Sequence, residues 1–102
     1  MSDKNAKIEH VEIRFARSAT RHRITKDSIR HVIASYRVRM EEPPPAGGPA
    51  SLSVRLLYLG VDANGRELEV MAISLESGEQ LVIHAMPMRA KYRRRYEEIE
   101  RD

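Results

Sequence analysis

The chain has 102 residues, 41% of them hydrophobic, and a formal net charge of +3. That length supports one domain with a modest core, and the lack of cysteine excludes a disulfide framework and any cysteine-held zinc. No apolar run nears the length of a membrane span and residues 1–7 are polar, so a cytoplasmic protein with a disordered segment over 1–7 is expected.

Residues 8–15 alternate imperfectly, with Ile8, His10 or Val11, Ile13 and Phe15 set among Glu9, Glu12 and Arg14, which predicts a strand. Residues 17–23 are polar and fit one short helical turn. Thr25 then caps a helix, Asp27 suits the positive end of its dipole, and Ile24 with Ile29 are spaced as a hydrophobic staple. Ile29, Val32, Ile33 and Tyr36 follow i, i+3, i+4, i+7 and form one apolar stripe. Residues 42–50 are rich in proline and glycine, which forbids regular structure and predicts a flexible surface loop.

Three strands are expected after the loop. In the first, Leu52, Val54, Leu56 and Tyr58 share one face, with Leu57 and Leu59 on the other. Asn64-Gly65 predicts a type I′ hairpin turn. Residues 67–75 form the return strand, with Leu68, Val70 and Ala72 on one face and Met71, Ile73 and Leu75 on the other. Ser77-Gly78 makes the next turn, and residues 81–86 form the last strand, with His84 sharing a face with Val82 and Met86. Pro87 is placed to open a helix whose apolar side carries Met88, Tyr92, Tyr96 and Ile99. The fold class is therefore α+β: a small antiparallel sheet, made of one N-terminal strand plus a three-strand meander, with an amphipathic helix packed on one face and a C-terminal helix.

Charge is uneven along the chain. Residues 1–39 carry net +6, residues 40–80 net −5, and residues 81–102 net +2. If the two basic ends meet in space they form a patch suited to a phosphate backbone; if they do not, they are ordinary solvated surface. His84 is the first candidate within them, as a general acid or base, since imidazole titrates near neutrality; the alternative is a half-buried structural histidine. Arg89, Lys91 and Tyr92 follow within two turns of helix, where cationic side chains suit the charge that develops on a phosphorane. Tyr92 can stack on a base or donate a proton, but it also lies on the apolar stripe. Arg93–Glu97 and Arg94–Glu98 have the spacing of helical ion pairs, and Arg95 lies nearer the stripe, where it can point at a groove. His22, between Arg21 and Arg23, is either a surface residue or a second catalytic group facing His84. Arg55, inside an apolar strand, needs an acidic partner or a groove. His10 and His31 are isolated. The four histidines lack ligand-like spacing, so neither a metal nor a cofactor is expected.

The order of elements and the short motifs Arg21-His22-Arg23-Ile24-Thr25, Ala85 and Arg94-Arg95-Tyr96-Glu97 carry a family likeness over residues 18–100. In these the chain resembles the BrnT-like toxins of bacterial type II toxin–antitoxin systems, small relatives of the RelE-type ribonucleases. The resemblance implies metal-independent cleavage of RNA by attack of a 2′-OH on its neighbouring phosphate. It also implies a cognate antitoxin that binds DNA and covers the basic cleft, in a toxin–antitoxin heterotetramer or beside a homodimer. His84, Arg89, His22 and Tyr92 are then the catalytic candidates, with Arg21, Arg23, Arg55, Lys91 and Arg95 on the RNA. One departure matters: where many members have a Ser-Ala-Arg-like step, this chain has His84-Ala85-Met86, with no arginine at the third position. Either the chemistry has moved to His84, Arg89, Lys91 and Tyr92, or the chain is a non-catalytic module that binds RNA or only a protein.

Overall fold

The computed structural model describes residues 12–42 and 54–101, with the side chains of 99–101 left aside. The segment expected to be disordered (1–7), the start of the first strand (8–11), Leu52 and all but the first residue of the expected flexible loop (42–50) lie outside the described residues; Glu42 itself is not loop but ends a strand, paired with Arg55. Five strands form one sheet: β1 (Ile13–Phe15), β2 (Val38–Glu42), β3 (Arg55–Val61), β4 (Glu67–Ser74) and β5 (Gln80–Pro87), in the order β1-β5-β4-β3-β2. Among the described residues two helices complete it, α1 (Lys26–Ser35) and α2 (Ala90–Arg101), with one 3-10 turn at Arg17–Thr20.

The α+β class holds, with corrections inside it. The sheet is mixed, because β1 runs parallel to β5 while the other pairs are antiparallel. β2 was not expected. Its Val38 and Met40 alternate with Arg39 and Glu41 over only five residues, and pairing with β3 gives so short a run its order. The first helix ends at Ser35, with Tyr36 already extended (φ −56°, ψ 153°). Pro87 ends β5, and α2 starts three residues later. The two helices cover opposite faces. Ile29, Val32 and Ile33 of α1 pack with Tyr58, Leu68, Val70, Ala72, Val82 and Ala85. Met88, together with Tyr92 and Tyr96 of α2, packs with Val38, Leu57, Leu59 and Met71. The result is three layers around a central sheet.

Local chemistry explains the frame. Thr25 Oγ1 accepts from the Ser28 backbone N–H at 3.1 Å, and both staple isoleucines are buried. The β3–β4 connection is not type I′, since Gly65 (φ 84°) and not Asn64 takes the left-handed conformation. Its backbone closes through Gly65 N–H to Asp62 O (3.0 Å) and Asp62 N–H to Arg66 O (2.9 Å). The β4–β5 connection repeats this with Gly78 (φ 94°), Leu75 and Glu79. Both are three-residue loops ended by a left-handed glycine. Asp62 is the local cause of the first: buried, it accepts from the Asn64 and Arg66 N–H groups at 2.9 Å each, from Arg66 Nε at 3.0 Å and from Ser28 Oγ at 3.1 Å. Burial pushes its carboxyl up, and these bonds outweigh that and hold it below the usual range.

Gly60 marks where α1 hands the chain to β2. A Cβ there would lie 3.2 Å from Tyr36 Cα and 3.4 Å from Val32 Cγ1, and the Tyr36 contact is with backbone, which cannot swing aside. Gly60→Val is expected to cost about 2–3 kcal/mol by overpacking, read from urea unfolding. An unchanged midpoint would show that the crossing has slack.

Candidate functional site

The site begins with an irregularity. β4 and β5 lose register between Met71 and Ala72, so that Met71 pairs with His84 and Ala72 with Val82. Ile83 is the extra residue of a β-bulge, which re-aims the side chains that follow it. Val82 stays in the α1-side core, whereas His84 joins the α2 face of the sheet, where it meets Glu69. The expected sharing of a face by His84 and Val82 is thereby overturned.

β5 gains a second neighbour beyond the end of β1. Ala16 N–H donates to Val82 O (2.9 Å), and Ser18 Oγ donates to the bulged Ile83 carbonyl at 2.6 Å. The 3-10 turn therefore runs along the strand, and the next three residues double back through Arg23, whose φ of 64° is left-handed for a non-glycine residue. Such backbone is strained and tends to mark functional positions. Here it delivers His22, whose ring meets His84 edge-on with centroids 5.8 Å apart.

Beneath them sits Glu69, with no exposed surface. Its Oε2 takes His84 Nε2 at 3.1 Å, Arg89 Nε at 2.9 Å and Arg89 Nη2 at 2.6 Å, and its Oε1 takes the Arg89 backbone N–H at 2.9 Å. Burial alone would push its carboxyl up; the bonds from Arg89 and His84 outweigh this and hold it below the usual range. Arg89 is raised in turn, chiefly by its hydrogen bond to Glu69. Its side chain is still 42% exposed, and Nη1 has no hydrogen-bond partner among the described residues.

Of the residues expected at a site, His84, His22 and Arg89 come together, with Arg21 and Arg23 exposed on either side of His22. Tyr92 is 7% exposed and belongs to the α2-side core, with Arg89 and Lys91 over its ring at 5.5 and 4.9 Å. Arg95 is exposed on α2. Arg55 opens β3 opposite Ile73, four residues along β4 from Glu69, which is about 13 Å away at the usual strand rise. Arg93 reaches across to Glu67 of β4, so the expected helical pair with Glu97 does not form, and neither does Arg94–Glu98 among the described residues. Glu69 was missed. The available signal was a glutamate in phase with Met71 and Ile73 on the apolar face of a strand, a place where acidic residues almost never sit unpaired.

Among the described residues, no three of His, Asp or Glu are grouped to hold a metal, and no helix is long and apolar enough to cross a membrane. Comparisons with protein-family models, with curated proteins and with solved structures find no match to this chain.

Proposed function

We propose that the chain is a metal-independent endoribonuclease, the toxin of a bacterial type II toxin–antitoxin pair of BrnT-like type, acting in the cytoplasm. The observation that carries this reading is the approach of two histidines from distant parts of the chain, His22 and His84, beside a part-exposed arginine. Cleavage through a 2′-OH needs one group to take a proton, one to give a proton, and positive charge near the phosphate. Arg89 supplies the charge that the resemblance assigns to the position of Met86. Met86 pairs with Glu69 across the strands, and Arg89 folds back onto that same Glu69. The natural partner is an antitoxin with an acidic segment to lie over Arg21, Arg23 and Arg89.

A second reading is a non-catalytic RNA- or protein-binding module, favoured by one observation: Arg89 already spends two of its three guanidinium nitrogens on a carboxylate. Induced expression of the chain alone in bacteria separates the two. The toxin reading expects growth arrest and loss of total RNA, both relieved by His84→Ala and by His22→Ala. Normal growth with intact RNA, from soluble folded protein, would overturn it and leave the binding module.

A further inference from the structure

We infer that Glu69 is the positioning residue of this site: it fixes His84 as the Nε2–H tautomer, so that His84 meets RNA through a bare Nδ1 as general base and leaves the acid role to His22. The inference rests on the ribonuclease reading for its roles, but its geometric half stands alone. An ionised carboxylate only accepts hydrogen bonds. Glu69, wholly buried and bonded to Arg89, therefore requires a proton on the His84 Nε2 that lies 3.1 Å from its Oε2. A neutral imidazole carries one N–H, so Nδ1 keeps its lone pair. Nδ1 has no hydrogen-bond partner among the described residues, and the His84 side chain is 26% exposed.

Among the described residues, Glu69 from β4 bonds His84, Arg89 from the segment between β5 and α2 bonds the same Glu69 oxygen, and His22 from the turn before α1 meets the His84 ring. Arg89 keeps Glu69 from taking the proton itself. His22 makes no hydrogen bond among the described residues, so nothing fixes its tautomer and either nitrogen can carry a proton. In the reaction the 2′-OH gives its proton to His84 Nδ1 as the 2′-O–P bond forms. The P–O5′ bond breaks, and the 5′ oxygen takes a proton from the His22 imidazolium. The products are a 2′,3′-cyclic phosphate and a 5′-hydroxyl. The substrate class is thus RNA with a 2′-hydroxyl at the cleaved position.

The first test is nitrogen NMR of the His84 ring in the wild-type protein at neutral pH, which reads the tautomer without any activity. A protonated Nε2 with bare Nδ1 is expected, and a protonated Nδ1 overturns the positioning role. The second uses a short RNA oligonucleotide and its 2′-deoxy counterpart. Glu69→Gln should lower kcat by about 100-fold or more with KM little changed. A merely structural Glu69 leaves kcat per folded molecule unchanged in that variant, which would overturn the base assignment. Wild-type protein that cleaves nothing, yet shows the Nε2–H tautomer, overturns the ribonuclease reading and leaves the positioning of His84 standing.

Discussion

Arg89→Met is expected to destabilise the fold by about 2–3 kcal/mol at neutral pH. Glu69 is fully buried and charged, and the guanidinium supplies two of its hydrogen bonds at 2.9 and 2.6 Å. Removing one member of a buried pair typically costs about 3–5 kcal/mol, because the other charge stays behind uncompensated. The figure is lower here because Arg89 is 42% exposed, so water screens part of the interaction and can enter the vacated space. The remaining bonds, from the Arg89 backbone N–H and His84, limit the loss further.

The same substitution carries a pH signature. Because the folded-state carboxyl of Glu69 is held below its ordinary 4.5, its contribution is fully present above that pH and is lost as pH falls through the lower folded value. In Arg89→Met the buried carboxyl is pushed up instead, and once protonated it needs no counter-charge. The difference between the two proteins should therefore shrink as pH is lowered from 7 toward 3.5. Asp62 titrates in the same acid range, but it is common to both proteins and cancels. Urea unfolding at several pH values checks this, and a difference that stays constant with pH would show that Glu69 is not its cause.

Tyr58→Ala should cost more, about 3–5 kcal/mol, the usual range for emptying a buried aromatic site. The ring is 2% exposed beneath α1 and lies edge-on to Tyr36 with centroids 5.3 Å apart. Its hydroxyl donates to Gln80 Oε1 at 2.6 Å, on a glutamine that is itself buried. Tyr58→Phe keeps the packing and orphans that oxygen, so it should cost about 1–2 kcal/mol. Equilibrium unfolding of both variants divides the total between ring and hydroxyl. Equal losses would place the stabilisation in the hydrogen bond and not in the packing.

Most of the helices and strands were legible because local periodicity encodes them. Thr25 caps α1 as its position implies, the stripe of Met88, Tyr92 and Tyr96 is buried under α2, and the two glycine turns fall where expected. Val38 to Glu42 was illegible because five residues hold too few periods to stand out. The parallel β1–β5 pairing was illegible because it joins residues 67 apart, such as Ile13 and Gln80, and no local pattern encodes such a partner.

The candidate site divides in the same way. His84, His22 and Arg89 stood out because their chemistry is written in their side chains and their neighbours are basic. Side-chain chemistry and local periodicity mark which groups can move protons or carry charge, and that an α+β sheet holds them. That His22 meets His84, and that Glu69 bonds both His84 and Arg89, comes from long-range packing alone. The bulge at Ile83 sets the face of His84, and the Ser18 hydroxyl on the Ile83 carbonyl ties the His22 segment to that bulge. A one-residue slip of register changes the face of every side chain beyond it, and where that slip falls depends on partners far away in the chain.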